Sequence, residues 1–285
     1  MSASTGAIGA PAGGIAPAEP TNPIVGAIAA QRRRGTRNFR IIFFATWALV
    51  IGGALGSLVY AGKIDFPFMA EWGPYILGGV TTTIFVAVCS ITIAIGFAVM
   101  GALGRLSGHP VLYSVSTLYV SMVRGTPLLV QILFIYLALP QIIPGVSGVP
   151  QVALGIFALA FNYGAYMTET FRAGIQAVPR GQTEAAQALG MPGRTRMLRI
   201  ILPQAIRIVT PAIGNEFISM IKDSSLVSVI AVPELLWRAQ RVGQSNFRTL
   251  ETLLIAAAIY WALTIVLSII QDRLEKRMAE SDRRI

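Results

Sequence analysis

Few side chains in this sequence could do chemistry. His109 and Cys89 are its only histidine and cysteine. A transition-metal site draws on several such ligands, and a disulfide within one chain needs two cysteines. The sequence therefore predicts no metal centre, no bound cofactor and no soluble enzyme built on a histidine base.

Charged residues inside an apolar run are the strongest chemical signal. Glu216, Lys222 and Asp223 interrupt the run between residues 206 and 236. A charge at the centre of a bilayer costs on the order of 2.5–3.5 kcal/mol on insertion scales, so such residues usually face a bundle interior or an aqueous path. Adjacent cationic and anionic groups could meet the carboxylate and ammonium of an amino acid. The alternative is an ion pair that joins two helices. The candidate path residues are Asn215, Glu216, Lys222, Asp223 and Ser224.

A second unusual stretch is the polar segment EAAQALGMPGRTRMLRIILP at residues 184–203. Residues 183–189 are strong helix formers, and Gly190 suits the left-handed position after a helix. Pro192 suits the first turn of a second short helix, and Pro203 is predicted to close the unit. Small alanines beside Glu184 leave a thin surface on which a soluble partner could dock helix-in-groove. A connector lying among lipid headgroups is the alternative.

The composition indicates what must position these residues. Hydrophobic residues make up 54% of the 285 and charged residues 13%, against about 25% charged in soluble domains. The mean hydropathy is +0.64. The fold class predicted is therefore an all-α integral membrane protein, and the net charge of +10 is interpreted as a topology signal, not as a nucleic-acid surface.

Predominantly apolar runs, compared with the roughly 20 residues that cross a bilayer, predict six transmembrane helices. A further run, residues 106–123, is predicted to be an interfacial, partly amphipathic segment. The predicted spans lie at residues 41–62, 75–104, 127–139, 152–171, 206–236 and 252–270.

Basic residues orient these spans. Eighteen of the 23 lysines and arginines fall in residues 32–40, in the loops on the same side, or after residue 272. Only Lys63, Arg238, Arg241 and Arg248 fall on the other side. The positive-inside rule therefore predicts that both termini and the 184–203 loop are cytoplasmic. Residues 1–40 are predicted to be a disordered basic cytoplasmic tail, because Ala, Gly and Pro dominate its start, and residues 41–285 form the transmembrane domain.

Six stretches in register resemble the membrane subunits of ATP-binding-cassette importers, in particular the polar-amino-acid type. The match spans about Tyr75 to Gln271. The stretches are RGTPLLVQ at 124–131, AYMTETFRAGI at 165–175, GQTEAAQALG at 181–190, the continuation of the EAA loop to Pro203, LPQA at 202–205, and KDSSLVSVI at 222–230.

The resemblance implies a permease subunit in a bacterial cytoplasmic (inner) membrane. Residues 184–190 would be the coupling helix that docks on cytoplasmic ATP-binding subunits, since the sequence has no phosphate-binding loop of its own. The expected coupling residues are Glu184, Ala185, Ala186, Leu189, Gly190 and Pro203. Other expected partners are a second permease subunit, identical or related, an extracytoplasmic substrate-binding protein, a polar amino acid and the bilayer, with no nucleic acid.

Two other classes of function compete with this one. A secondary, ion-coupled amino-acid transporter would use the intramembrane carboxylates, but it needs inverted repeats with matching broken helices. An intramembrane enzyme would need a nucleophile–base pair or metal ligands within a span. The sequence shows neither pattern.

Overall fold

The computed structural model describes the backbone of residues 23–282 and the side chains of Phe39 and residues 41–278. Every regular element in this range is helical, which confirms the all-α class. The chain divides into two compact units, residues 1–64 and 65–285, and each is described by itself.

The first unit contains one long helix, α1, at Pro23–Tyr60. Residues 23–40 are therefore helical, where the sequence predicted disorder. Pro23 suits the first helical position, and Ala, Gln and Arg at residues 29–34 are strong helix formers. The rest of the predicted tail, residues 1–22, lies outside the described residues. At the other end Gly62 adopts φ 63°, and the Lys63 N–H donates to the Leu58 carbonyl at 3.0 Å.

The second unit is a bundle of helices of unequal length. In chain order they are α2 Phe66–Leu77, α3 Gly79–Leu106, α4 Pro110–Arg124, α5 Leu128–Leu133, α6 Leu139–Ile142, α7 Gln151–Ala177, α8 Arg180–Ala188, α9 Gly193–Arg196, α10 Leu202–Asp223, α11 Leu235–Asn246 and α12 Thr249–Asp282. π-helical turns at Phe134–Ala138 and Met197–Ile201 join α5 to α6 and α9 to α10. A 3₁₀ turn at Ser224–Ile230 follows α10.

Four of the predicted spans are apolar and long enough to cross a membrane within the described residues. The segments are Ile41–Tyr60, Phe66–Leu106, Gly193–Ile230 and Thr249–Met278, corresponding to the first, second, fifth and sixth predicted spans. The chain is thus a multi-pass membrane protein. The fifth span ends earlier than predicted, because Ala231 adopts the left-handed φ 60° and turns the chain after Ile230.

The third and fourth predicted spans have a different character. Helix α4 and residues 128–142 are long and apolar enough to cross a membrane only when they are taken together. The chain bends by 107° between these two parts. Helix α7, at the predicted fourth span, is not among the helices that are apolar enough to cross a membrane by themselves. Its Asn162, Tyr163 and Thr168 are buried inside the protein. A helix that is enclosed by other helices does not need an apolar surface towards lipid. Its mean hydropathy is therefore a poor measure of whether it crosses the membrane.

Helices α3 and α7 form the centre of the second unit through close contacts between small residues. A Cβ on Gly101 would lie 2.3 Å from the Thr168 hydroxyl, and one on Gly164 would lie 2.5 Å from the Cβ of Phe97. Such close approach between membrane helices requires small residues. Helix α7 of this central pair leads directly into the predicted coupling loop.

Candidate functional site

The predicted coupling loop folds as a short helix that ends in a left-handed turn. Gly190 adopts φ 71°. Its N–H donates to the Gln187 carbonyl at 2.9 Å, and the Met191 N–H donates to the Ala186 carbonyl at 3.0 Å. These two bonds are those of a Schellman motif, in which glycine supplies the left-handed residue. The predicted role of Gly190 as the residue after the helix is confirmed.

The structure separates the coupling residues that the sequence grouped together. Ala186 is buried, and α8 lies against the π-helical turn after α9. Glu184, Ala185 and Gly190 are exposed, as is 81% of Leu189. One face of α8 therefore rests on its own protein. The other presents a carboxylate, a small residue and an apolar side chain.

Pro203 does not close the unit as predicted. The helical path continues from Gly193 to Asp223 through this proline. Proline lacks an N–H and collides with the carbonyl four residues earlier. Here the Leu202 N–H donates five residues back to the Met197 carbonyl, in the widened turn of a π-bulge. The bulge accommodates Pro203, so the loop and α10 are mechanically continuous.

The intramembrane charges lie on α10, but they do not pair with one another. Asp223 accepts a hydrogen bond from the Tyr163 hydroxyl of α7 at 2.7 Å. Lys222 is exposed, and none of the ion pairs found in the described range includes it. Neighbouring residues on a helix point about 100° apart, which separates the two side chains. Among the described residues, Asp223 is therefore linked to α7 through Tyr163 and not to Lys222.

The remaining path residues fall on different sides of α10. Asn215 is exposed and lies seven residues before Lys222, two turns away on the same side. Glu216 is half-buried and bears the same relation to Asp223. Ser224 is fully buried and donates to the Ile221 carbonyl at 2.7 Å, so its hydroxyl satisfies the local backbone.

A charged cluster joins the ends of α3 and α7 immediately before the coupling loop. Glu169 and Arg172 are three residues apart in the sequence, the spacing that predicts an ion pair on one helix face, and Arg172 Nε donates to Glu169 at 2.8 Å. Glu169 also pairs with Arg105 of α3, a partner that sequence spacing could not indicate. Arg172 donates in addition to Gln176 at 2.7 Å. Because α7 leads directly into α8, this cluster fixes the base of the loop.

Glu234 is a buried polar centre that the sequence did not single out. It has no solvent exposure and caps α11 by accepting the Trp237 N–H at 2.7 Å. Thr83 of α3 donates to it at 3.5 Å, and the Tyr260 hydroxyl of α12 donates as well. Its place after Pro233, at the start of an amphipathic stretch, is the one sequence signal that indicates a cap.

Glu234 lies beyond the apolar segment that ends at Ile230. Burial raises the pKa of its carboxyl, and the hydrogen bonds from Tyr260, the backbone and Thr83 offset part of the effect. A raised pKa means that the folded protein favours the protonated form. The resulting stabilisation is complete below the ordinary Glu range and is lost as the pH rises through the raised pKa.

We expect Glu234→Gln to flatten the pH dependence of the melting temperature in detergent, because the amide cannot ionise yet can still accept and donate hydrogen bonds. Glu234→Ala should lower the free energy of unfolding by about 2–3 kcal/mol, since it leaves the cap and two hydroxyls unpaired. Thermal unfolding across pH 4–9 (roughly the range above the ordinary Glu pKa) measures both. Equal pH profiles for the wild type and the Gln variant would contradict the assignment.

Comparison with known proteins identifies the architecture. The family model described as "Binding-protein-dependent transport system inner membrane component" matches residues 94–280. The "Probable amino-acid permease protein YxeN" of Bacillus subtilis (strain 168) is 38% identical over 217 residues, which cover 76% of this chain and 97% of that protein. The "Arginine transport system permease protein ArtQ" of the same organism is 35% identical over 220 residues, covering 77% and 100%.

Solved structures agree with these relatives. The crystal structure of an amino acid ABC transporter with histidines has 39% identity and a TM-score of 0.70, over 75% of this chain and 99% of the other. The MetNI methionine ABC transporter, at 16% identity and a TM-score of 0.56, shares the fold. The resemblance inferred from six motifs is confirmed: the chain belongs to the family of binding-protein-dependent transport system inner membrane components, as a permease of the amino-acid ABC transporter type.

Proposed function

We propose that this chain forms the translocation path of an ATP-driven importer for polar amino acids in a bacterial cytoplasmic membrane. Support comes from relatives that are named as amino-acid permeases and are matched over nearly their full lengths. They favour ATP-driven import over the ion-coupled alternative. The chain itself is a transport component, and ATP hydrolysis belongs to a partner.

The proposed topology has six spans with both termini in the cytoplasm. The four apolar segments are joined by the bent α4–α5–α6 region and by α7, whose polar residues are enclosed by protein. The excess of basic residues at residues 32–40, in the α8–α9 loop and at the end of α12 supports this orientation.

The observation that carries the coupling proposal is the geometry of α8 and Gly190. A short helix with one face on its own protein and one face open suits docking into a groove. Two copies of the cytoplasmic ATPase would each hold such a helix through Glu184, Ala185, Leu189 and Gly190. Helix α8 packs against the π-helical turn, and the helical path is unbroken from Gly193 through that turn into α10. Movement of α8 would therefore be transmitted to the span that carries Lys222.

A second permease subunit, identical or related, would complete the path. Asn215 and Lys222 are exposed in the single chain although they belong to a spanning segment. Lipid is an unfavourable neighbour for both, whereas a facing subunit and an aqueous path between the two would solvate them. Asn215, Glu216, Lys222, Asp223 and Ser224 are the proposed substrate-path residues. An extracytoplasmic binding protein would deliver the amino acid.

Reconstitution into vesicles distinguishes an ATP-driven importer from an ion-coupled secondary transporter. Vesicles containing the permease, its ATPase and its binding protein should accumulate labelled amino acid only with ATP on the ATPase side. An imposed proton or sodium gradient without ATP should give no uptake. Gradient-driven uptake by the permease alone would overturn the proposal in favour of a secondary transporter, and competition with a panel of amino acids would identify the substrate.

We expect Lys222→Met to lower uptake by the assembled transporter by roughly 10–100-fold. This is the effect of losing one charged group that would hydrogen-bond the substrate in the proposed path. Lys222→Arg keeps the charge and should retain most of the activity. Uptake in vesicles measures the effect, and co-purification of the ATPase confirms assembly. Unchanged uptake in the Met variant would remove Lys222 from the path.

A further inference from the structure

About a quarter of this chain lies outside its matches to YxeN and ArtQ. YxeN is matched over 97% of its length by 217 of the 285 residues here. Since the family match reaches residue 280, most of the unmatched residues precede residue 94, and they are numerous enough to include α1. The role of α1 is therefore additional to the shared transport machinery.

The sequence of helix α1 contains a dense run of positive charge. Five arginines lie within residues 32–40, and no acidic residue occurs between Glu19 and Asp65. On the helical backbone of Pro23–Tyr60, positions 33, 37 and 40 share one side by their i, i+4, i+7 spacing. The five arginines are Arg32, Arg33, Arg34, Arg37 and Arg40.

Aromatic rings follow the arginines along the same helix. The ring centroids of Phe39 and Phe43 lie 6.3 Å apart, and those of Phe43 and Trp47 lie 5.3 Å apart. The apolar span begins at Ile41. Aromatic residues concentrate at the level of lipid headgroups, and the arginine-rich stretch directly precedes them in the sequence.

We propose that residues 32–47 of α1 form a binding segment for anionic phospholipids, with the arginines on the headgroup phosphates and the rings beside the upper acyl chains. Guanidinium groups bind phosphate in a bidentate manner. Basic residues next to a span attract anionic lipid by about fivefold each. The proposal rests on α1 alone and is independent of the proposed transport function.

Orientation by itself does not explain this many arginines. Outside residues 32–40, the chain carries thirteen basic residues on the predicted cytoplasmic side and four on the other. That bias is already strong under the positive-inside rule. Five further arginines next to an aromatic cluster, without an acidic neighbour, exceed what orientation demands and match what an anionic leaflet attracts.

Lipid retention in detergent tests the proposal, because a micelle has no inside or outside and the result does not depend on membrane orientation. The full chain is mixed with equal amounts of phosphatidylglycerol and phosphatidylcholine, and bound lipid is counted by native mass spectrometry. The triple variant Arg33→Gln, Arg37→Gln, Arg40→Gln should lower the retained phosphatidylglycerol-to-phosphatidylcholine ratio at least tenfold. The matched Arg→Lys triple variant keeps the positive charge but loses the bidentate contacts, so its ratio should lie between those of the wild type and the Gln variant.

Three outcomes separate lipid from other sources of anionic binding. Glycerol phosphate, which has no acyl chain, should not displace the bound lipid, and retention should fall with rising salt. An unchanged lipid ratio in the Gln variant, at an unchanged melting temperature, would overturn the proposal. So would displacement by glycerol phosphate or preferential binding of an oligonucleotide, since either would show a site for free phosphate or nucleic acid.

Discussion

Gly190→Val is expected to lower ATP-driven uptake at least tenfold while the protein still inserts into the membrane. Gly190 adopts φ 71°, a conformation that costs an L-residue roughly 1–2 kcal/mol, and β-branched residues tolerate it least. No atom lies within 4 Å of the position of an added Cβ, so the effect comes from backbone strain and not from a clash inside this chain. The turn should reorganise and misplace Leu189 and Glu184 relative to the ATPase groove.

The matched control is Gly190→Asn. Asparagine adopts the left-handed conformation more readily than other L-residues, so this variant should keep more than about a third of the uptake, whereas the Val variant should fall at least tenfold. Uptake in reconstituted vesicles and co-purification of the ATPase measure both. If the Val variant transports normally, the turn is not part of the coupling element. If Val and Asn fail equally, a side chain at this position blocks the partner, and backbone conformation is not the cause.

Gly79→Ala should lower the free energy of unfolding of the second unit by about 2–3 kcal/mol. A Cβ at this position would lie 2.6 Å from the Cα and 2.8 Å from the amide nitrogen of Leu235. Both are backbone atoms, which cannot turn aside as a flexible side chain can. Relief requires α3 and α11 to separate, and that separation would disturb the hydrogen bond from the Leu235 N–H to the Thr83 hydroxyl, 3.3 Å long.

Gly96→Ala on the same helix is the control. No atom lies within 4 Å of its added Cβ, and alanine is a better helix former than glycine by up to about 1 kcal/mol. This variant should be neutral or slightly more stable. Thermal unfolding in detergent compares the two. Equal melting temperatures for both variants would show that α3 and α11 are not held together at Gly79.

Local features explain where prediction from sequence succeeded. Apolar length is a property of a continuous stretch, and the segments at Ile41–Tyr60 and Thr249–Met278 followed from it directly. The turn at Gly190 and the pair of Glu169 with Arg172 also depend on residues at most five positions apart. Helical spacing is sufficient to predict such contacts.

The wrong predictions have equally physical causes. Pro203 was expected to end a helix, but a single π-turn removes the clash that makes proline a helix breaker. Residues 23–40 were expected to be disordered from their Ala, Gly and Pro content, although residues 29–34 have high helix propensity. The predicted crossing by helix α7 stays a prediction, since its enclosed polar residues make it less apolar than a lipid-facing span.

The sequence by itself determined the membrane class, most of the spans, the left-handed end of the coupling helix and the family. Each of these depends on composition, order or short-range spacing. Only the tertiary structure decided which polar groups meet: Asp223 with Tyr163, Glu169 with Arg105, and Glu234 with Thr83, which is 151 residues away. A buried polar group must find a partner wherever packing brings one within reach, and that choice depends on how distant helices pack together.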